Sequence, residues 1–279
     1  MTGRRFYYGW VIVAVSGIIL LVAFGIRLSF TVFFVALTEE FAWLRAETAL
    51  IFSVSMVVFA ATSLFAGMAM DRWGARLVFA IGAAILALGL LLSSLIQTLG
   101  QLILTYGVIA GLGITILGLG PQAGLLATWF RRRLGLAIGL AFAGTGLGTL
   151  TLTPGVELII ANWGWRVAYR VLAALALLLI PLVLIFIRRS PRTFSLRAGE
   201  KSETTRRRRS RLQRRNWTMS AAVRTRAFWL VIIAAFGAIG PLRMLTVHQL
   251  AVAAGAGYDR LFAAAVIGFS GLVTAVAFV

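Results

Sequence analysis

The stretch Leu77–Ile96 reads LVFAIGAAILALGLLLSSLI and carries no charged residue. A helix needs about 20 consecutive apolar residues to cross the hydrocarbon core of a bilayer. The segment just before it reads Gly67-Met-Ala-Met-Asp71-Arg72-Trp-Gly74-Ala-Arg76 and is short and basic. An apolar stretch of membrane length that directly follows a short charged loop predicts an integral membrane protein.

Seven further apolar runs occur along the chain. Because lipid offers no water to bond the backbone, runs of this length fit helices, which satisfy their own backbone groups. The eight predicted spans are Tyr8–Leu37, Thr48–Met70, Leu77–Ile96, Leu102–Phe130, Leu134–Ile160, Val167–Ile187, Phe228–Ala254 and Leu261–Val279. Hydrophobic residues make up 61% of the 279 positions and charged residues only 13%, as expected for a chain that lies mostly within the membrane. We therefore predict an all-α, polytopic transmembrane helical bundle.

The basic residues predict the orientation of the chain. Most of the 27 Lys and Arg residues lie before the first predicted span, after the second and fourth, and between Arg188 and Arg226. Cytoplasmic loops of membrane proteins carry an excess of Lys and Arg. We therefore expect the N-terminus and the 188–226 loop to be cytoplasmic, in a multi-pass protein of the inner (plasma) membrane.

Three parts follow from this pattern. Residues 1–187 are predicted to form a six-helix transmembrane half, 188–226 a basic cytoplasmic linker, and 227–279 the start of a second half with spans 7 and 8. The linker contains Arg206-Arg-Arg-Arg209 and little that could form a core. Its charge suits topology and anionic lipid head groups. A nucleic-acid partner, which so basic a chain could suggest, is not predicted.

The loop before the third predicted span resembles the signature loop of the major facilitator superfamily, a Gly, then Asp-Arg, then Gly and a basic residue. Gly67 is expected to let two helices approach, and Asp71 to sit at a helix N-terminus, where the dipole favours an anion. Gly74 is expected to permit a tight turn. Arg72 and Arg76 are expected to stay on the cytoplasmic side.

Other stretches resemble one branch of that superfamily, the monocarboxylate porters and oxalate/formate antiporters. They are Tyr8-Gly-Trp10, Gly25-Ile-Arg27-Leu-Ser-Phe30, Glu40-Phe-Ala-Trp43-Leu-Arg45-Ala-Glu47, Trp129-Phe-Arg131-Arg-Arg133-Leu-Gly135-Leu-Ala137, Gly164-Trp165-Arg166-Val-Ala-Tyr169-Arg170 and His248-Gln-Leu250. The resemblance implies twelve spans in two halves, with the substrate between the halves near mid-membrane. With about 8 of 12 spans, the chain is expected to be C-terminally incomplete.

Ionisable residues inside predicted spans are the candidates for a site, because charge in the membrane is costly and marks a pathway or a pair. Arg27 shares a helical face with Ala23, Phe30, Thr31 and Phe34. A guanidinium there could hold a carboxylate through paired hydrogen bonds. Arg27 could equally pair with a protein carboxylate or reach the interface, and the sequence leaves these alternatives open.

Two further candidates lie in the seventh predicted span. Arg243 is a candidate for a second anion contact, and His248, the single histidine, for a proton acceptor or substrate donor. A structural role stays open for each. Glu157 is expected to pair with Arg166 or Arg170 near the outer ends of spans 5 and 6. Weaker cavity candidates are Pro121-Gln122, Tyr8 and Tyr169, and the expected interfacial anchors are Trp10, Trp129, Trp163 and Trp165.

Several classes of function are not indicated. The chain has no cysteine, it lacks a phosphate-cradling Gly-Lys-Ser/Thr loop, and one histidine with few carboxylates makes a metal site improbable. We expect no catalytic residue, metal or cofactor. The resemblance and Arg27 predict a monomeric secondary transporter of a small, monocarboxylate-like organic anion, working by alternating access with proton coupling or exchange. The alternatives are a non-transporting membrane sensor or scaffold of the same fold, and an inactive fragment.

Overall fold

The computed structural model describes residues 8–130 and 133–188, together with scattered residues between 225 and 273. Within this part of the chain all regular structure is helical. The helices are α1 (Gly9–Leu28), α2 (Phe30–Phe41), α3 (Arg45–Trp73), α4 (Ala75–Ser93), α5 (Leu99–Leu102), α6 (Gly111–Ile116), α7 (Leu119–Trp129), α8 (Leu134–Trp163) and α9 (Trp165–Phe186), with a π-helix, Ile103–Ala110, between α5 and α6. The all-α prediction is confirmed.

The helices form six apolar segments long enough to cross a membrane, called spans 1 to 6 here. They are Gly9–Phe41, Arg45–Trp73, Ala75–Ser93, Leu99–Trp129, Leu134–Trp163 and Trp165–Phe186. Each begins and ends within about one helical turn of its predicted bounds. Spans 7 and 8 of the sequence prediction, and the basic linker, lie almost entirely outside the described residues.

Single glycines make the two tightest connections. Gly74 joins span 2 to span 3 with φ of +83°, and Gly164 joins span 5 to span 6 with φ of +82°. A side chain is strained at positive φ, whereas glycine adopts it freely. The tight turn expected at Gly74 is therefore present, and Gly164 makes a second turn of the same kind.

Spans 1 and 5 approach each other through glycines. A Cβ atom added at Gly144 would overlap the carbonyl oxygen of Gly17, and one added at Gly148 would overlap that of Leu21. One turn further, a Cβ at Gly25 would lie 2.9 Å from the carbonyl oxygen of Gly148. Small residues at such spacing let membrane helices touch along their backbones. The glycine-rich stretch of span 5 thus allows close packing against span 1.

Spans 3 and 4 make a similar contact. A Cβ at Gly113 would lie 2.6 Å from the backbone nitrogen of Leu86, and one at Gly89 would lie 2.6 Å from that of Ala110. The contact of Gly89 lies at the end of the π-helical part of span 4, and that of Gly113 lies just beyond it. The irregular backbone of span 4 is therefore held tightly against a regular neighbour.

Two expectations for the signature loop are not met by the described residues. Gly67 is exposed, and a Cβ atom there would meet nothing within 4 Å, so it makes no close helix contact in this part of the chain. Asp71 lies in the last turn of α3, because that helix continues to Trp73. The negative end of the helix dipole is found there, which suits the neighbouring Arg72 and not an anion.

Candidate functional site

Span 1 is interrupted near its middle. Ser29 separates α1 from α2, and both its backbone N–H and its Oγ donate to the carbonyl oxygen of Gly25, at 2.9 and 2.7 Å. A hydroxyl that bonds back to the carbonyl four residues earlier bends a helix. Arg27 lies in the last turn of α1, two residues before this interruption.

Arg27 points into the helical bundle. Its side chain is only 5% exposed, and its Nη2 donates to the Sδ of Met56 at 2.7 Å. The guanidinium lies 4.5 Å from the ring centroid of Phe59 and 5.9 Å from that of Phe52. Aromatic faces attract cations, and Arg tolerates such desolvation better than Lys. The alternative in which Arg27 reaches the membrane interface is excluded by this burial.

Aromatic rings connect Arg27 to spans 4 and 6. Phe30 is stacked between Phe52, at 5.6 Å, and Tyr106, at 4.9 Å between centroids. Tyr106 lies 6.1 Å from Tyr169, centroid to centroid. Residues from spans 1, 2, 4 and 6 therefore converge at one place in the bundle.

Two phenols give this cluster hydrogen-bonding capacity. Tyr106 and Tyr169 are 1% and 0% exposed, and the Oη atom of each lacks a hydrogen-bond partner among the described residues. An unsatisfied polar group inside a membrane protein costs free energy. The guanidinium has only hydrogen-bond donors, and the O–H of each phenol can donate as well. An anion accepts hydrogen bonds of this kind.

The residues predicted for the substrate site lie in different places. Phe30 belongs to the cluster of Arg27, Tyr106 and Tyr169. Thr31 is buried, and its Oγ1 donates to the Leu28 carbonyl at 3.1 Å. Phe34 is buried one turn further along span 1. Arg243 and His248 lie outside the described residues.

Tyr106 was missing from the predicted site, and Tyr169 was only a weak candidate. Both lie within two turns of a span end, where tyrosine is usually an interfacial anchor. The useful signal was that Tyr106 is the single tyrosine of span 4.

An ion pair at the C-terminal end of span 1 differs from the predicted one. Arg166 Nη1 lies 2.7 Å from Oε1 of Glu40, and Trp165 Nε1 donates to Oε2 of the same carboxylate. Glu157 was predicted to pair with Arg166 or Arg170, whereas Arg166 pairs with Glu40. Glu157 is buried in α8, and its pairing with Arg170 stays a prediction. Glu40 was not predicted as the partner of Arg166 because span 1 continues to Phe41, past its predicted end, and carries Glu40 to the start of span 6.

Two of the four predicted interfacial tryptophans are buried. Trp163 is exposed as expected, whereas Trp129 and Trp165 are almost completely covered. Trp165 packs against Phe41 and Tyr169, with centroids 5.9 and 6.0 Å away. These two tryptophans therefore hold helix ends together inside the protein.

Six apolar spans around a buried cation define a multi-pass membrane protein. The sequence profile of the Major Facilitator Superfamily matches residues 15–279, and the chain belongs to that family. The resemblance predicted from the signature loop is confirmed.

Monocarboxylate transporters are among its relatives. Human monocarboxylate transporter 11 is 35% identical over 184 residues, which are 63% of this chain and 39% of that protein. Rat monocarboxylate transporter 3 is 32% identical over 170 residues, 61% of this chain and 34% of that protein. The chain thus spans little more than a third of the length of these curated relatives.

A solved structure shares the fold. The crystal structure of a D-xylose-proton symporter aligns with a TM-score of 0.63 and 16% identity, over 96% of this chain and 66% of that one. At this identity the likeness concerns the arrangement of helices alone.

Proposed function

We propose that the protein is a secondary transporter that carries a small organic anion of the monocarboxylate class across the membrane by alternating access. The observation that carries the proposal is the convergence of Arg27 with the phenols of Tyr106 and Tyr169 inside the bundle. Family membership and the relatives' names support the same class of function.

The chemistry of the cluster suits a carboxylate. The guanidinium of Arg27 can donate two parallel hydrogen bonds to its oxygens, and a phenol of Tyr106 or Tyr169 can donate a third. Contacts with the Sδ of Met56 and the ring of Phe59 orient the guanidinium. Aromatic rings beside the cation would cover a short apolar tail, which favours a small acid.

Alternating access needs a stiff half that moves as a body. The backbone contacts of span 1 with span 5, and of span 3 with span 4, supply this stiffness. We further propose a monomer in the inner (plasma) membrane with a cytoplasmic N-terminus, driven by proton coupling or by anion exchange. Arg243 and His248 are proposed as contributors from the second half.

The test is flux through the full-length protein in proteoliposomes. Labelled acetate, lactate, pyruvate and oxalate are offered either with an imposed pH gradient or to vesicles preloaded with unlabelled acid. Saturable uptake of at least one acid, stimulated by the gradient or by preloading, is expected. A protein that is thermally stabilised by these acids and moves none of them would contradict transport and favour the sensor alternative.

A further inference from the structure

A second set of buried polar groups lies away from the Arg27 cluster. Ser16 in α1 and Gln122 in α7 are both 0% exposed. Ser16 Oγ and both amide atoms of Gln122, Oε1 and Nε2, lack hydrogen-bond partners among the described residues. Three such atoms inside a membrane protein are costly unless they serve a ligand.

The two residues lie at the same depth on neighbouring helices. Helices α1 and α7 pack against each other, and their ends meet where the ring of Tyr8 lies 5.7 Å from that of Trp129. Ser16 follows Tyr8 along α1, and Gln122 precedes Trp129 along the antiparallel α7. At the rise of an α-helix, both lie roughly 10–12 Å from that end of the bundle.

Ser16 also lies on the same face of α1 as Arg27. Eleven residues of an α-helix amount to about three full turns, so Ser16 and Arg27 share one face of α1, roughly 16 Å apart. Span 4 is broken between α6 and α7, and the backbone N–H of Gln122 donates to Gly118 O at 3.2 Å just after the break. Broken spans are where transporters place ligand-binding groups.

The chemistry of this pair differs from that of Arg27. A primary amide presents a donor beside an acceptor, and a hydroxyl can act as either. A protonated carboxylic acid is the matching partner, since its O–H donates to Oε1 while its carbonyl accepts from Nε2. A carboxylate has no proton to donate and would leave Oε1 of Gln122 unpaired.

We propose that Ser16 and Gln122 form a second, uncharged binding site for the transported acid in its protonated form, on the side of the membrane where span 1 begins. The proposal rests on the proposed transport of a carboxylate. Arg27 would hold the anion deeper in the protein, and Gln122 would hold the neutral acid nearer the cytoplasmic end.

The test uses Gln122→Leu and Ser16→Ala in the full-length protein, with Ser55→Ala as the matched control. Ser55 is a buried serine whose Oγ donates to the Phe52 carbonyl at 2.7 Å. Uptake of labelled lactate is measured in right-side-out and inside-out membrane vesicles. Thermal unfolding is followed with and without lactate at several pH values.

Gln122→Leu should weaken the apparent affinity from the cytoplasmic face about tenfold, the equivalent of two ordinary hydrogen bonds, and leave the affinity from the other face unchanged. Its melting temperature should rise, because an apolar side chain replaces unpaired polar atoms. Lactate should raise the melting temperature of the wild type more than that of Gln122→Leu. This difference should grow as the pH is lowered, because more of the acid is protonated. Ser16→Ala should act in the same direction, and Ser55→Ala should not change the affinity.

Equal affinity from both faces in all variants, or a melting temperature that falls with Gln122→Leu, would overturn the second site. Wild-type protein that moves no carboxylate would instead overturn the proposed function. The two failures are therefore distinguishable.

Discussion

The ring of Phe30 is stacked on that of Tyr106, with 4.9 Å between centroids and an interplanar angle of 27°. Phe30 begins α2 just after the interruption at Ser29, and Tyr106 lies in the π-helical part of span 4. Irregular helical turns in membrane proteins are frequent at functional sites. This contact brings the irregular parts of two spans together beside Arg27.

Replacing Tyr106 by Phe should separate binding from stability. Its Oη lacks a partner among the described residues, so its removal should leave the melting temperature unchanged or raise it. Because a hydrogen bond to a charged group contributes about 1.5–3 kcal/mol, the apparent affinity for a transported carboxylate should fall at least tenfold. Uptake kinetics and thermal unfolding of the same preparation measure both.

Tyr8→Phe is the matched control for that variant. Tyr8 Oη donates to the carbonyl oxygen of Phe186 at 2.7 Å and so joins the start of span 1 to the end of span 6. Its loss should destabilise the protein by about 0.5–1 kcal/mol and leave the affinity unchanged. A Tyr106→Phe variant that behaves like Tyr8→Phe would refute the assignment of Tyr106 to the site.

The contact between spans 1 and 5 should tolerate no added methyl group. A Cβ at Gly148 overlaps the Leu21 carbonyl, so Gly148→Ala should cost about 1–3 kcal/mol through overpacking. Gly155 lies in the same helix, and a Cβ added there meets nothing within 4 Å. Gly155→Ala should therefore be neutral or slightly stabilising. Thermal unfolding in detergent compares the two, and equal melting temperatures would argue against this crossing.

The signature loop offers a second glycine comparison. Gly74→Ala places a side chain at φ of +83° and should destabilise the protein by roughly 1–2 kcal/mol. Gly67→Ala should be harmless to the six described spans, since a Cβ there has open space. Destabilisation by Gly67→Ala, measured by thermal unfolding, would place Gly67 against a surface outside the described residues.

The ion pair between Glu40 and Arg166 should be weak. The side chains of Glu40 and Arg166 are 41% and 44% exposed, and pairs of this kind contribute about 0.2–1 kcal/mol. A double-mutant cycle of Glu40→Gln with Arg166→Gln should give a coupling in this range that shrinks at high salt. The same cycle with Arg170→Gln should give none, and an equal coupling to Arg170 would contradict the pairing.

The six spans could be predicted because the bilayer imposes a length on every apolar run, and that length is written directly in the sequence. The turn at Gly74 was predictable because glycine in a very short loop has few other roles. The interruption at Ser29 was not, since the hydroxyl that bonds to Gly25 could equally have faced another helix.

The site was only partly predictable for a related reason. Arg27 was found because charge inside a span is conspicuous. Tyr106 was missed because its burial arises from packing between Phe30 and Tyr169, which belong to other spans. Glu40 was missed as the partner of Arg166 because its position depends on where span 1 ends.

The central claim is that Arg27 holds the carboxylate of the substrate. It is tested by the concentration dependence of labelled lactate uptake, or of whichever acid the wild type moves best, in proteoliposomes of the full-length protein. Arg27→Lys keeps the charge and loses the two-pronged donor, and Arg27→Gln loses both; Arg166→Gln controls for loss of a cation elsewhere. We predict that Arg27→Lys has an apparent affinity about tenfold weaker or more, Arg27→Gln has no saturable uptake, and Arg166→Gln matches the wild type. Saturable uptake by Arg27→Gln with wild-type affinity would contradict the claim.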